Sequence, residues 1–210
     1  MRPAGALILA AGMSTRMKGF KPLLDFHGRT MIGQVIHNFQ KAGAAPIILV
    51  LGYRGDDIKD SLAGEPVIFV RNENYASSQM FDSVKIGLRK AAGVCDRVLI
   101  APCDAPLIRP EVIRRVMESE YLMARPSFQG RPGHPVLLSC SLTEQICGYR
   151  GERGLRGAME SLGIPMETIQ ADGPGIYLDA DTPEEYLALK NLENQFTNRR
   201  KRDIVYSERY

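Results

Sequence analysis

Short runs of consecutive apolar residues alternate with amphipathic segments along most of the chain. The apolar runs cover residues 5–11, 46–52, 66–70 and 97–102. Because a strand in a parallel sheet is buried on both faces, an uninterrupted apolar run is typical of such a strand. The alternation with amphipathic segments therefore predicts an α/β protein with an open, doubly wound, mostly parallel sheet in a single domain.

Helices are predicted between these strands from capping residues and apolar spacing. Thr30 can cap a first helix, and Gly43 follows its last turn. The apolar residues of this helix share one face: Ile32, Val35, Ile36 and Phe39. A second helix is expected from about Ser77, and a third begins after Pro110. The first half of the chain is thus a series of strand–helix units.

The last third of the chain has a less regular pattern. Residues 135–139 and 175–179 are predicted as strands, and residues 151–163 are predicted as a helix. A final helix is predicted over residues 182–195, with Pro183 in its first turn. The pattern ends after this segment.

The net charge of the chain comes entirely from its last fourteen residues. The 210 residues include 27 Lys and Arg against 24 Asp and Glu, a formal net charge of +3 at pH 7. Residues 197–210 hold five basic and two acidic residues, so residues 1–196 sum to zero. We expect one domain over residues 1–196, followed by a basic tail or linker. A neutral domain argues against binding to nucleic acid or to an anionic membrane, since both require a basic face.

Several other classes of protein are disfavoured by missing patterns. No apolar stretch reaches the roughly 18 to 20 residues that a bilayer-spanning helix needs. The four cysteines show neither CxxC spacing nor metal-site spacing with His, which favours reduced thiols and a cytoplasmic location. The chain also lacks GxxxxGK(S/T) and a GxGxxG after a strand, so P-loop hydrolases and dinucleotide oxidoreductases are disfavoured.

The loop after the first strand carries the densest candidate chemistry. Ala10, Ala11 and Gly12 allow a ligand to approach the backbone closely, and backbone N–H groups can bind anionic oxygens. The residues that follow offer hydroxyl and basic side chains: Ser14, Thr15, Arg16, Lys18 and Lys21. This combination favours a triphosphate, with Arg16 as a two-pronged donor and Lys21 as a point charge. The alternative is a glycine turn followed by a solvated basic loop.

Acidic residues follow two other strands. Asp104 lies between Pro102 and Pro106, which restrict the backbone just past a predicted strand. Ligands of open parallel sheets bind beyond the carboxyl ends of the strands, and Mg²⁺ takes few protein ligands, so Asp104 is a candidate Mg²⁺ ligand. Asp179 could complete the metal site, whereas Asp181 is interpreted as the cap of the last helix. An ordinary Asp turn is the alternative for Asp104.

Six segments, in order along the chain, resemble the motifs of one protein family. LILAAGMSTRMKGFKPLL resembles the family's LAAGxSxRMxxxKxLL signature, and PCDAP resembles its metal-binding PxDxP motif. The other four segments are SSQMFDSVKIGL, RPGHPVLL, GERGLRGAM and LDADTPEEY. Together they resemble the molybdopterin nucleotidyltransferase-like (MobA-like NTP transferase) family over about residues 5 to 190. Within it, the molybdenum cofactor cytidylyltransferases are the most similar group.

The resemblance implies a fold, a reaction and a set of partners. The fold would be Rossmann-like, of the GT-A-like nucleotidyltransferase type. The reaction would transfer CMP from CTP to the terminal phosphate of molybdenum-molybdopterin and release pyrophosphate, with Mg²⁺ as cofactor. Ala11 favours CTP, because guanylyl-transferring relatives usually have Gly there, while Lys18 replaces a common Gly and adds a positive charge. The implied partners are CTP, a molybdopterin-type cofactor and a molybdoenzyme or its maturation factor, with neither nucleic acid nor membrane.

The resemblance also implies roles for individual residues. The catalytic residues would be Arg16, Lys21 and Asp104. The nucleotide would contact Leu9, Ala10, Ala11, Gly12, Ser14, Arg16, Lys21, Ser78, Ser83 and Asp104. The metal ligands would be Asp104 and Asp179, and the acceptor side would contain Arg131, His134 and Arg153.

Other interpretations stay open at this stage. His134 could be a turn residue bonded to backbone, and Arg153 with Arg156 could be a solvated helix face. The enzyme could instead use GTP or a sugar phosphate. A non-catalytic maturation factor would hold a nucleotide or the molybdenum cofactor for delivery. Binding of RNA or DNA through the basic residues 199–202 is disfavoured because the domain lacks interleaved aromatic residues.

Overall fold

The computed structural model of the protein describes residues 4–13, 17 and 19–193. Its central sheet has eight strands, which confirms the α/β fold. The strands are β1 (Ala4–Ala10), β2 (Asp25–Phe26), β3 (Arg29–Thr30), β4 (Ile47–Leu51), β5 (Val67–Arg71), β6 (Arg97–Pro102), β7 (Met123–Phe128), β8 (Arg131–Pro132), β9 (Val136–Ser139) and β10 (Glu167–Gln170). β2 and β3 form a separate two-stranded ribbon. The four apolar runs of the first half of the chain are therefore strands, as predicted.

The strand order of the sheet is β10-β7-β9-β6-β1-β4-β5, with β8 paired to β7. β1 pairs in parallel with both β4 and β6, and β4 with β5, which confirms the mostly parallel sheet. β9 and β8 are exceptions, because β9 runs antiparallel to both β6 and β7 and β8 runs antiparallel to β7. The pattern of apolar residues did not predict β7 or β10. β7 contains Arg125 and Pro126, and β10 lies at the edge of the sheet with alternately exposed residues.

Helices cover both faces of the sheet. They are α1 (Met31–Ala42), α2 (Gly55–Ser61), α3 (Met80–Ala92), α4 (Pro110–Met117), α5 (Thr143–Gly148), α6 (Gly154–Ser161) and α7, whose described part spans 183–193. The predicted cap of α1 is confirmed, since the backbone N–H of Gly33 donates to Thr30 Oγ1 at 3.1 Å. Gly43 ends this helix in the left-handed conformation, at φ 93°. Sequence analysis missed the short helices α2 and α5.

The two faces of the sheet bury separate apolar cores. Alternate residues of β1 point to opposite faces, so Ile8 packs with α1 and α4 while Leu7 packs with α3 and α6. Gly87 lets α3 approach β1 closely, because a Cβ there would lie 2.2 Å from a methyl carbon of Leu7. The continuous burial of β1 and β4 explains why their runs contain almost no polar residue.

The predicted strand over residues 175–179 is wrong. Pro174–Ile176 forms a single 3-10 turn instead, and the chain then crosses the ends of the strands. The carbonyl of Ile176 accepts a hydrogen bond from a loop residue and not from a neighbouring strand: the backbone N–H of His134 donates to it at 2.6 Å. The apolar residue Ile176 is buried through this turn. The residues that follow the turn, 177–180, belong to neither a helix nor a strand.

Three further predictions concern membrane-spanning helices, the cysteines and the basic tail. No helix in the described residues has the length and apolar character that crossing a bilayer requires. All four cysteines are free thiols, and burial raises the pKa of the Cys103 thiol. The predicted basic tail of residues 197–210 lies outside the described residues.

Candidate active site

Two adjoining cavities open at the carboxyl ends of the central strands. The smaller one has a volume of about 290 Å³ and the larger one about 680 Å³. Residues from several chain segments line both cavities: Leu9, Met80, Pro102, Asp104 and Asp181. The shared wall therefore contains two carboxylates with a separate compartment on either side.

The loop after β1 forms one wall of the smaller cavity. Leu9, Ala11 and Gly12 line it, and Gly12 has open space where a side chain would stand. Ala10 packs in the core on the α1 and α4 face and is only 2% exposed, so its expected contact with the nucleotide concerns its backbone alone and stays a prediction. Ser14 and Arg16, both expected to contact the nucleotide, lie outside the described residues.

Gly52 brings three loops together beside this cavity. A Cβ on Gly52 would lie 2.6 Å from the carbonyl oxygen of Ala11 and 2.7 Å from Cβ of Tyr75. Since real side chains do not tolerate such distances, only glycine lets the segments after β1, β4 and β5 meet here. Tyr75, which this contact holds in place, lines the smaller cavity.

Lys21 joins the two carboxylates of the shared wall. It is 8% exposed, and its Nζ donates to Asp104 Oδ2 at 3.2 Å and to Asp181 Oδ1. Burial by itself lowers the pKa of Lys21, but the hydrogen bond to Asp181 and the charge of Asp104 outweigh it, so the pKa is raised. Lys21 is therefore held as a buried cation between two acidic residues.

The interpretation of Asp181 as a helix cap is wrong. Thr182 caps α7, because its Oγ1 accepts from the backbone N–H of Glu185 at 3.2 Å. The Glu185 carboxylate accepts in return from the N–H groups of Asp181 and Thr182, at 2.9 Å each. This capping box satisfies the helix start and leaves the Asp181 side chain to contact Lys21.

Asp179 adds a third carboxylate to this region. It lines the larger cavity together with Asp104 and Asp181. Burial and the nearby charges of Asp104 and Asp181 raise the pKa of Asp179. Within the described part of the chain, no group of three or more His, Cys, Asp and Glu side chains is arranged to hold a metal. These residues fit Mg²⁺ only in its usual mode, with few carboxylates and further oxygens from phosphate and water.

Asp179→Asn is expected to raise the unfolding temperature of the ligand-free protein at pH 7. Because folding raises the pKa of Asp179, its stabilising contribution is complete below the unfolded value of about 3.8 and is lost as pH rises through the folded pKa. The ionised carboxylate therefore destabilises the fold at neutral pH, and the amide removes this effect. Thermal unfolding at pH 7 and pH 4 should show a smaller gain at pH 4, and a loss of stability at pH 7 would contradict the argument.

Ser78 and Ser83 are held by a buried amide that sequence analysis missed. Asn72 is 2% exposed, and its Nδ2 donates to the hydroxyl oxygens of both serines at 2.9 Å. Its Oδ1 accepts from the N–H of Asn74 at 3.1 Å. Each serine oxygen thus accepts from Asn72, which leaves the hydroxyl proton to donate to a ligand in the smaller cavity.

Asn72→Ala is expected to weaken nucleotide binding and stability together. The loss of these buried hydrogen bonds should reduce the free energy of unfolding by about 1–3 kcal/mol and raise KM for the nucleotide about 3- to 10-fold. Ser119→Ala, which removes a hydrogen bond from the backbone N–H of Tyr121 beside the amino end of β6, is the control and should cost about 1 kcal/mol without a change in KM. Equal KM values for Asn72→Ala and wild type would refute the role of Asn72.

The three residues expected on the acceptor side all line the larger cavity: Arg131, His134 and Arg153. The Arg131 guanidinium lies 4.1 Å from the ring centre of Tyr177. Arg153 and Arg156 both pair with Glu160 on the surface of α6, at 2.7 and 3.0 Å. The solvated-face interpretation therefore describes their present contacts, although both residues also border the cavity.

Arg125 is a further cavity residue that sequence analysis missed. It lies on β7 and lines the larger cavity. The signal was present in the sequence, because a charged residue between Ala124 and Pro126 is unusual in a strand that lies within a sheet. It was missed because β7 itself was not predicted.

Comparisons with known proteins bear on the family to which the chain belongs. The sequence profile of the MobA-like NTP transferase domain matches residues 6–166. The molybdenum cofactor cytidylyltransferase of Escherichia coli (strain K12) is 27% identical over 192 residues, which are 90% of this chain and 97% of that protein. The profile match covers more than half of the chain.

Solved structures share the fold. A nucleotidyl transferase from Methanothermobacter thermautotroptrophicus superposes with a TM-score of 0.82 at 22% identity, over 93% of this chain and 100% of that one. A Mycobacterium tuberculosis H37Rv protein, solved in complex with manganese, has a TM-score of 0.76 at 22% identity, over 90% of this chain and 98% of that one. The profile match over residues 6–166 shows that the chain belongs to the MobA-like NTP transferase domain family, whose members are nucleotidyltransferases.

Proposed function

We propose that this protein transfers CMP from CTP to the terminal phosphate of molybdenum-molybdopterin and releases pyrophosphate. The observation that carries the proposal is the pair of adjoining cavities with Asp104 and Asp181 in their shared wall. A transferase that joins two phosphorylated substrates needs one compartment for each and a charged boundary at the reacting phosphates.

The smaller cavity suits the nucleotide. The open backbone at Gly12 and the buried cation of Lys21 provide donors for phosphate oxygens, and Ser78 and Ser83 provide hydroxyl donors at another part of the wall. Arg16 would add a two-pronged contact to the phosphates. The choice of CTP is supported by Ala11 and by the name of the Escherichia coli relative.

The chemical step is an in-line substitution at the α-phosphorus of CTP. A terminal phosphate oxygen of the acceptor forms the new P–O bond, and the bond between the α- and β-phosphates breaks to release pyrophosphate. Lys21 and Arg16 neutralise the charge that develops on the departing group. Bound Mg²⁺, held by Asp104 with Asp179, would supply further positive charge to the phosphate oxygens. The manganese complex of the Mycobacterium tuberculosis protein supports a divalent cation at this fold.

Incubation of the purified protein with molybdenum-molybdopterin, Mg²⁺ and each of the four NTPs tests the proposal. We expect pyrophosphate release with CTP and with none of the other three NTPs. The mass of the product should equal that of the acceptor plus CMP. Transfer of GMP would show that the nucleotide substrate is GTP and not CTP. Transfer only to a sugar phosphate such as glucosamine 1-phosphate would show that the acceptor is not molybdenum-molybdopterin. Binding of CTP without pyrophosphate release would identify a non-catalytic carrier instead.

A further inference from the structure

Arg125 is a charged residue with a buried nitrogen that has no hydrogen-bond partner among the described residues. Its side chain lines the larger cavity, and its Nε is buried without a hydrogen bond. None of the ion pairs among residues 4–13, 17 and 19–193 includes it. A buried donor of this kind destabilises a fold unless something else satisfies it.

His134, which also lines the larger cavity, contains a second buried atom of this kind. Its Nδ1 is buried and has no hydrogen-bond partner within the described residues. Burial lowers the pKa of His134 more than the contact with the Ile100 backbone raises it, so the ring is neutral at pH 7. A neutral ring nitrogen can accept a hydrogen bond where Arg125 can only donate one.

The position of Arg125 sets its distance from the carboxylates of the shared wall. β7 pairs with β9 at Ala124 and Leu137, and β9 pairs with β6 at Val136 and Ile100. Arg125 therefore stands level with Ile100, four residues before Asp104 along the direction of β6. At about 3.3 Å per residue, the two residues from Ile100 to the end of β6 at Pro102 place the backbone of Arg125 about 7 Å inside the edge of the sheet that carries Asp104. A substrate with its phosphate at Asp104 would have its other end beside Arg125.

The rest of the cavity wall decides which chemical group this end carries. Apolar side chains from α3, β9 and α6 line the cavity together with Arg125 and His134: Phe81, Val84, Val136, Leu155 and Met159. A small oxoanion would bury no apolar surface against these side chains, whereas a flat heteroaromatic ring would bury both of its faces against them. The edge of the ring would meet the donor of Arg125 and the acceptor of His134.

We propose that Arg125 determines specificity for the acceptor by hydrogen-bonding, with His134, the heteroaromatic head group at the end remote from the reacting phosphate. The inference rests on the proposed function, because it assigns the larger cavity to the acceptor. It goes further in naming Arg125, which the family resemblance did not indicate, and in giving the pair complementary hydrogen-bonding roles. The fold tolerates the unsatisfied donor because the substrate satisfies it.

Arg125→Met and Arg125→Lys test this inference, with Arg115→Met as control. Arg115 lies on α4, where it pairs with Asp172 on the opposite face of the sheet. With CTP and molybdenum-molybdopterin, we expect Arg125→Met to raise KM for the acceptor about 10- to 100-fold, with kcat and KM for CTP largely retained. Arg125→Lys should restore little, because an ammonium group cannot reproduce the two-pronged guanidinium. Ligand-free Arg125→Met should unfold at the same or a higher temperature than wild type.

Calorimetric binding of two probes separates this inference from the proposed function. Free pterin, which has neither phosphate nor metal, should bind wild type and Arg115→Met but not Arg125→Met. Sodium molybdate should show no binding that depends on Arg125, and the opposite pattern would overturn the heteroaromatic assignment. Wild type that binds pterin through Arg125 yet transfers no CMP would refute the proposed reaction alone. Wild-type activity with unchanged acceptor KM and pterin affinity in Arg125→Met would refute the role of Arg125 alone.

Discussion

Asp104→Asn is expected to lower kcat for nucleotidyl transfer by about 10²- to 10³-fold while the protein remains folded. Asp104 lines both cavities two residues after the end of β6, and it contacts the buried ammonium of Lys21 at 3.2 Å. The amide keeps the shape of the side chain but removes the negative charge that would bind a divalent cation. The defect should therefore fall on turnover, measured as pyrophosphate release at saturating CTP and acceptor.

Asp172→Asn is the matched control for this substitution. Asp172 is an exposed carboxylate that also pairs with a basic residue, Arg115, at 2.7 Å. The control should retain wild-type kcat, and both variants should give the same far-ultraviolet circular dichroism as wild type. Raising the Mg²⁺ concentration should recover part of the activity of Asp104→Asn if weaker metal binding contributes to its defect. A folded Asp104→Asn enzyme with a wild-type rate would exclude Asp104 from the reaction.

The strands that determine the fold could be predicted because their burial is nearly complete. β1 and β4 are packed on both faces, so almost every position must be apolar. An uninterrupted apolar run in the sequence therefore predicts each of these strands. The cap of α1 was also readable, since Thr30 and Gly43 have local conformational preferences that tertiary contacts do not override. β10 lies at an edge with alternating exposure over only four residues, so its pattern is too short to distinguish from a loop.

The site was only partly predictable for a different reason. Asp104 and Gly12 follow apolar strands, so the general rule on ligand binding in open sheets locates them. Asn72 acts through hydrogen bonds to two serine side chains that no local pattern marks, and the local signal at Arg125 could be used only once β7 was known to be a strand. Asp181 was predicted to cap α7 because Asp181 and Thr182 are both residue types that can cap a helix. Only the three-dimensional contact with Lys21 distinguishes them.

That contact makes Lys21 the centre of the charged wall. The Lys21 side chain is 10% exposed, and those of Asp104 and Asp181 are 16% and 28% exposed, so solvent screens this cluster only weakly. In the ligand-free protein, Lys21 offsets the repulsion between the two carboxylates. In the proposed reaction, the same cation would also contact the phosphates of the nucleotide. One side chain would then serve both the stability of the site and its chemistry.

Lys21→Met is therefore expected to lower kcat/KM for CTP by about 10²- to 10³-fold and the free energy of unfolding by about 1–3 kcal/mol. Because folding raises the pKa of Lys21, its stabilising contribution is fully present below the unfolded value of about 10.5 and is lost only as pH rises through the folded pKa. The difference in stability between wild type and Lys21→Met, measured by urea unfolding, should thus be constant from about pH 6 to 9. Lys190→Met is the control, because it removes an ammonium group paired with Asp25 at 2.9 Å outside the cavities and should change kcat/KM little. A difference that disappears between pH 6 and 9, or a variant as stable as wild type throughout, would show that Lys21 does not stabilise the charged wall.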